Sequence, residues 1–181
     1  MCDNSNKNVI SYFVYTRMNP LCKELGFPHK GWKLENVIDL GEDCFSSDEI
    51  VYENCEFCGH EQIRYVHIIS HPDYNRCVRV GCDCAEQLTT DYDNPKKRED
   101  ELRRKANRRK NFLKQEWKET TNGNYTLKYK GERVTIKCGR YSWSVVLNGT
   151  WVNKYKGKAF FDFETACFAA FELFDSKTRG Y

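Results

Sequence analysis

Cys55-Glu-Phe-Cys58-Gly59-His60 opens the stretch that decides the fold, and Val80-Gly81-Cys82-Asp83-Cys84-Ala85 closes it. Two cysteine pairs separated in this way can supply the four thiolates that Zn²⁺ binds in a tetrahedron. The glycine after the first pair lets the backbone turn beneath a metal. The spacing predicts one structural zinc ion held by Cys55, Cys58, Cys82 and Cys84.

The segment between the two pairs has the pattern of a β-hairpin. Two β-rich runs, residues 62–69 and 76–80, flank a turn-prone segment at 71–75, and residues 85–88 are typical of the first turn of a helix. The second pair, Cys-x-Cys, is a tighter chelate than the usual Cys-x2-Cys. Three residues inside the same loop are therefore alternative ligands: His67, His71 and Cys77.

The first cysteine pair, Cys55 to Cys58, is here called the knuckle. A knuckle followed by a hairpin and by ligands at the start of a helix resembles the treble-clef and zinc-ribbon-like modules. The resemblance covers residues 55–84 and departs from those modules at Cys82-x-Cys84. It implies a structural zinc site. The competing interpretation is a set of buried free thiols, because cysteine behaves as a small apolar residue.

Charge is distributed unequally along the chain. Residues 1–95 carry 16 acidic and 8 basic side chains, whereas residues 96–181 carry 10 acidic and 21 basic side chains. The overall charge of +3 therefore conceals an acidic half and a basic half. This polarity indicates either a polyanionic partner or mutual attraction of the two halves.

Ten cysteines in a secreted chain would indicate disulfides, but the sequence suggests a reducing compartment. Residues 1–8 are polar, and the apolar run 9–14 is short for a secretory signal; residues 9–15 fit either a strand or a helical piece. No apolar stretch approaches the length of a membrane span. We expect a cytoplasmic protein without a membrane partner, whose clustered cysteines bind metal.

A basic helix is predicted after the zinc module. Pro95 suits the start of a helix, and residues 96–119 carry an apolar stripe at helical spacing. Acid-first pairs such as Glu99 with Arg103 also fit a merely solvated connector. The candidate nucleic-acid contacts on this helix are Lys96, Lys97, Arg98, Arg104, Arg108, Arg109 and Lys110.

From residue 122 the apolar period changes to two. Three alternating runs, a Gly131-Glu132 turn and an Asn148-Gly149 turn predict an antiparallel sheet, with Thr150–Lys156 as the candidate fourth strand. A stripe from Phe163 to Phe174 predicts a final helix on the apolar face of this sheet. The basic candidates for the opposite face are Lys128, Lys130, Arg133 and Lys137.

This sheet closed by one helix resembles the AP2-like and integrase amino-terminal DNA-binding domains over residues 122–175, notably around Trp143 and 163–170. The resemblance implies a sheet face that enters the major groove. With the basic helix included, the order also looks like a double-stranded-RNA-binding domain. The whole arrangement is similar to small bacterial and phage zinc proteins, a similarity that supplies no activity.

The predicted fold class is α+β, with a zinc-stapled β-hairpin module, a basic connecting helix, and a three- to four-stranded antiparallel sheet packed by one carboxy-terminal helix. The predicted regions are 1–94 with the zinc module at 55–88, then 95–119, then 120–181.

Three functions follow from these patterns. The first is a non-catalytic, zinc-containing protein that binds DNA or RNA, because residues 124–160 hold eight basic side chains against one acid, Glu132. The second is a protein-interaction or inhibitor protein, such as a phage modulator of a host factor. The third, a treble-clef nuclease, would need Asn or His on the helix after the second pair, and residues 85–90 lack both. No small-molecule substrate is expected.

Overall fold

The computed structural model describes residues 20–45 and 47–179, and the predicted element at residues 9–15 lies outside them. The chain divides into two compact units, Met1–Ala106 and Asn107–Tyr181. The described residues form α-helices and antiparallel sheets, which confirms the predicted α+β class. Among these residues, every helix is too short or too polar to cross a bilayer.

The first unit contains a three-stranded antiparallel sheet in the order β1-β2-β3. The predicted hairpin is formed by the pairing of β2 with β3, and β1 adds to its other side. Two short 3₁₀ helices, Leu21–Lys23 and Ser47–Glu49, lie outside the sheet. The other elements are β1 (Lys33–Asp39), β2 (Tyr65–Ser70), β3 (Val78–Val80), α1 (Cys82–Thr89) and α2 (Asn94–Leu113), which extends into the second unit.

One face of this sheet packs on α1. Alternation along the strands places Ile69, Val78 and Val80 on one side, and they share a buried cluster with Ala85 and Leu88 of α1. These contacts fix the start of α1 directly after β3. The first turn of α1 is thereby positioned close to the sheet.

Helix α2 begins where the sequence predicts but ends earlier. The Asp91 carboxylate accepts the backbone N–H of Asn94 (3.0 Å), which satisfies a donor at the helix start. At the other end, the N–H of Gln115 bonds to the carbonyl of Phe112 (3.1 Å) rather than continuing the helical pattern. Trp117 then turns into the core against Phe112. The prediction of a helix through Glu119 is therefore wrong, because residues 114–119 leave the helix to reach the sheet.

The second unit contains a five-stranded antiparallel sheet in the order β4-β5-β6-β7-β8, one strand more than the largest predicted number. The additional strand is β4, which lies in the segment predicted as helix. A separate two-stranded hairpin, β9 with β10, follows the sheet. The elements are β4 (Lys118–Glu119), β5 (Tyr125–Tyr129), β6 (Glu132–Lys137), β7 (Ser144–Leu147), β8 (Thr150–Val152), β9 (Lys154–Tyr155), β10 (Lys158–Ala159) and α3 (Phe163–Arg179).

Two tight turns set the register of this sheet. Asn148 and Gly149 have φ values of 50° and 79°, as the mirror-image type I′ turn requires, and they join β7 to β8 as predicted. Between β5 and β6 the two left-handed residues are Lys130 and Gly131, with φ values of 49° and 87°. That turn lies one residue earlier than predicted, and Glu132 belongs to β6.

Helix α3 covers the apolar face of the five-stranded sheet. Its predicted stripe is confirmed, since Ala166, Cys167, Ala170, Phe171 and Phe174 are all buried in one cluster with the inward side chains of β5, β6 and β7. The Asp162 carboxylate accepts the N–H of Thr165 (2.7 Å) and so caps the helix. One face of the sheet is buried in this way, and α3 leaves the other face uncovered.

Candidate metal centre and nucleic-acid interface

Three of the four predicted ligands lie together. The sulfur atoms of Cys55, Cys58 and Cys84 are all within 4.8 Å of one another. Cys55 is buried and Cys58 is exposed, both on the knuckle, and the half-buried Cys84 lies in the first turn of α1. A thiol cluster of this size could hold a metal ion, with three sulfur ligands and one tetrahedral position left.

Backbone amides point at the sulfur atoms of this cluster. The N–H groups of Cys58 and Gly81 donate to the sulfur of Cys55, and the N–H of His60 donates to that of Cys58. Hydrogen bonds of this kind favour the charged form of a thiol. The cluster is thus built to carry thiolates, the form in which cysteine binds metal.

The pKa values of the three thiols are shifted in different directions. A hydrogen bond from Cys84, assisted by the two backbone amides and opposed by burial, lowers the pKa of Cys55 to about 5. The same hydrogen bond and burial raise the pKa of Cys84, and burial raises that of Cys58. One negative charge therefore resides on Cys55 at neutral pH, and its two neighbours stay protonated until a cation offsets their repulsion.

A buried carboxylate fixes the knuckle to the sheet. Glu56 is only 2% exposed, and its carboxylate accepts hydrogen bonds from the Arg76 guanidinium (3.0 Å) and from the backbone N–H of Arg79 (2.7 Å). Its own N–H donates to the carbonyl of Arg79 (3.0 Å). These hydrogen bonds therefore hold Glu56, the residue next to Cys55, against β3. Nothing in the spacing of the sequence had indicated this residue.

Cys82, the fourth predicted ligand, belongs to a different cluster. Its sulfur lies within 4.8 Å of ligand atoms of His67 and Glu99 and is not grouped with the three other thiols. The structure thus separates the predicted set of four cysteines, because the first turn of α1 directs Cys82 and Cys84 to different neighbours. Of the alternative ligands, only His67 joins a cluster, and neither described cluster contains His71. The alternative ligand Cys77 is wrong, because its sulfur is disulfide-bonded and cannot act as a thiolate.

The surroundings of Cys82 are acidic and mostly buried. Burial, followed by the charges of Glu99, Glu86 and Asp83, raises the pKa of the Cys82 thiol to about 12. His67 is fully buried, and its Nδ1 has no hydrogen-bond partner. Buried polar atoms are nearly always hydrogen-bonded, so this one requires an explanation.

The predicted basic residues of α2 are only partly available to a ligand. Arg109 is 4% exposed and Arg108 is held by the carboxylate of Asp175 (2.7 and 2.8 Å), so both side chains are less accessible than predicted, and their contact with a nucleic acid stays a prediction. Lys96, Lys97 and Arg104 line a surface depression together with Asp93, Asp100 and Glu101. Arg98 and Lys110 are exposed. The helix therefore presents a surface of mixed charge rather than a basic face.

The uncovered side of the five-stranded sheet, here called the open face, is basic. Strand register places Lys118, Thr126, Thr135, Val146 and Trp151 in one row across the five strands. The remaining positions of the open face are Lys128, Arg133, Lys137 and Ser144. Glu119 and Glu132, the acidic residues of these five strands, alternate to the other side, so none of the strand positions on the open face is acidic.

Trp151 is the aromatic residue of this row. Its side chain is 58% exposed, and the ammonium group of Lys137 lies 4.0 Å from the ring centroid, as in a cation–π contact. Lys130, the remaining predicted basic residue, lies in the adjacent turn and is exposed. The alternation of β8 could have identified Trp151 as a surface candidate, because it lies on the opposite side of the strand from Thr150 and Val152.

Comparisons with protein-family models, with curated proteins and with solved structures gave no match to this chain. The resemblances drawn from the sequence therefore remain expectations.

Proposed function

We propose that this protein is a non-catalytic, zinc-containing protein that binds nucleic acid through the open face of its second unit. The observation that carries the proposal is the charge of that face, with four Lys or Arg side chains and no acid among its strand positions. Cationic surfaces of this kind bind phosphates and release counterions.

The composition of the open face also supports this choice of ligand. Thr126, Thr135 and Ser144 lie between the cations and can donate hydrogen bonds to phosphate oxygens or base edges. Trp151 and Val146 provide an adjoining apolar area. An exposed tryptophan next to lysine is a stacking platform for an unpaired base.

In this proposal the zinc ion is structural. Cys55, Cys58 and Cys84 would hold it, and thiolate-rich sites of this kind favour zinc over hard cations. The sulfur atoms already accept backbone N–H groups, so binding requires little rearrangement of the knuckle. The ion would join the knuckle to α1 and stabilise the first unit, while the second unit contacts the nucleic acid.

A binding titration at two salt concentrations tests the proposal. If four phosphates are neutralised, a labelled duplex should bind about 100-fold more weakly at 200 mM than at 50 mM salt. Reversing the charge of two open-face residues, Lys128→Glu with Arg133→Glu, should reduce both the affinity and the salt dependence. A matched control, Lys23→Glu with Lys30→Glu, makes the same charge change at exposed positions of the first unit.

Equal loss of binding in both double variants, or no binding of the unaltered protein at 50 mM salt, would contradict the role of the open face. Trp151→Ala then separates the classes of nucleic acid. Loss of a stacked base costs about 1–3 kcal/mol, so this variant should weaken binding to a single strand and leave the duplex nearly unaffected. The opposite pattern would place the tryptophan against a duplex.

A further inference from the structure

The second cluster draws one ligand-type side chain from each of three elements. His67 comes from the middle of β2, Cys82 from the first residue of α1 and Glu99 from the second turn of α2. One ligand atom of each residue lies within 4.8 Å of the other two. These residues are far apart in sequence, and the fold of the first unit brings them together in a buried place.

The histidine of this cluster has a nitrogen lone pair without a partner. Its Nε2 lies 3.2 Å from the carbonyl oxygen of Pro95 and can donate a hydrogen bond to it only when Nε2 carries the proton. The neutral ring then leaves Nδ1 unprotonated, and Nδ1 is buried without any hydrogen-bond partner. An unprotonated imidazole nitrogen is the form that binds a metal.

The carboxylate is held in a way that leaves one oxygen for the cluster. Oε1 of Glu99 accepts a hydrogen bond from the Nε of Arg103 (2.9 Å). Oε2 lies 3.8 Å from Nε2 of His67, which is too long for a hydrogen bond. The carboxylate oxygen Oε1 of Glu86 also lies 3.8 Å from the sulfur of Cys82. The cluster is therefore rich in negative charge and is suited to a cation.

We propose that His67, Cys82 and Glu99 form a second metal site, separate from the three-cysteine cluster, and that it binds zinc. Imidazole, thiolate and carboxylate are all zinc ligands, and three protein ligands leave one position for water. Arg103 would act as an outer partner that orients the carboxylate. This site does not depend on the proposed binding of nucleic acid.

Counting metal ions in matched variants tests this site. The full chain, prepared with zinc, should contain two zinc ions by elemental analysis, and Cys82→Ser or Glu99→Gln should each contain one. Cys84→Ser should lose the other ion and keep the second site. With Co²⁺ in place of zinc, Cys82→Ser should remove the charge-transfer absorption of one thiolate and retain that of the three-cysteine cluster.

Glu101→Gln serves as the matched control, because it makes the same change as Glu99→Gln at an exposed position of the same helix, and it should retain two ions. Glu99→Gln keeps the size of the side chain, so it tests the site even if Cys82→Ser fails to fold. One zinc ion in the unaltered protein, unchanged by Glu99→Gln and His67→Gln, would overturn the proposal. Loss of a single ion on Cys82→Ser but not on Glu99→Gln would also overturn it, and would make Cys82 the fourth ligand of the three-cysteine cluster.

Discussion

Among the described residues, the two units of the chain differ in the size of their largest core cluster and in the polar groups beside it. The core cluster of the first unit contains ten buried residues, and the same unit buries the polar side chains Glu56, His67 and Glu99 beside two clusters of metal-ligand type. The core cluster of the second unit contains fourteen buried residues, nearly all aliphatic or aromatic. In total each unit buries fifteen apolar side chains among the described residues, so the difference lies in how they are connected: the second unit has one large cluster, whereas the first has a smaller cluster that the proposed zinc ion would crosslink.

Removal of metal should have the largest effect and should affect one unit only. Structural zinc sites contribute on the order of 10 kcal/mol to folding, which is comparable with the whole stability of a small domain. A chelator should therefore unfold the first unit and leave the second folded. In an amide NMR spectrum, the dispersed signals of Val78 and Val80 should collapse while those of Val134 and Val145 persist. Unchanged signals from β3 in metal-free protein would show that apolar packing is sufficient there.

Metal affinity at the three-cysteine cluster should depend steeply on pH. Between pH 6 and 8 Cys55 is ionised, because its pKa is lowered to about 5, whereas the raised pKa values keep Cys58 and Cys84 protonated. If the knuckle keeps this arrangement without metal, a metal displaces about two protons and affinity should rise about 100-fold per pH unit, whereas binding to a first unit that unfolds on metal loss would release three. Competition with a chromophoric chelator in the Cys82→Ser variant measures this slope without a contribution from that thiol. A slope of three would mean that Cys55 is also protonated.

Truncation of a core aromatic should destabilise the second unit without regard to metal. Phe171 is 1% exposed and packs on Phe112, with ring centroids 5.8 Å apart. Phe171→Ala should cost about 3–5 kcal/mol in denaturant unfolding, because it removes buried surface and leaves a cavity. The matched control is Phe161→Ala, which removes the same group from an exposed position and should change stability by less than about 0.5 kcal/mol.

Loss of one buried charge should weaken the first unit by a smaller amount. Glu56→Gln keeps the shape of the side chain but removes the charge that accepts hydrogen bonds from Arg76 and Arg79. We expect a cost of about 2 kcal/mol, since a hydrogen bond to a charged group is worth about 1.5–3 kcal/mol. Thermal unfolding of the zinc-loaded protein measures it. Glu61→Gln, at an exposed position, should leave the melting temperature unchanged. If Glu56→Gln and Glu61→Gln changed the melting temperature equally, Glu56 would not stabilise the knuckle.

Local patterns predicted the elements of both units well. The period-two runs, the Asn148-Gly149 turn and the stripe on α3 depend on neighbouring residues, and the structure confirms each of them. The helix end at Leu113 could not be predicted, because it depends on the packing of Trp117 against a residue of the tertiary core. Local propensity alone would have continued that helix through residues rich in Lys, Glu and Gln.

The clusters were predictable only in part, for a related reason. The knuckle and the first turn of α1 are local features, so Cys55, Cys58 and Cys84 could be assigned from their spacing. Cys82 lies in a cluster with Glu99, which belongs to another helix. The sequence around Glu99 predicted only its local ion pair with Arg103, not a contact with Cys82. Likewise, Arg109 is buried because of tertiary packing, which a helical wheel cannot predict.

The smallest expected effect lies at the start of α3, where the second unit depends on one cap. Asp162 accepts the N–H of Thr165 at 2.7 Å, and its carbonyl accepts that of Ala166 at 3.1 Å. Asp162→Ala removes only the side-chain bond and should cost about 1 kcal/mol, whereas Asp162→Asn keeps a capping oxygen and should cost less. Denaturant unfolding of metal-free protein isolates the second unit for this measurement. A loss of unfolding free energy much larger than about 1 kcal/mol would show that the second unit depends on the start of α3 as well as on its buried stripe. The proposed contrast, a first unit that depends on zinc and a second unit that depends on its apolar core, would then need revision.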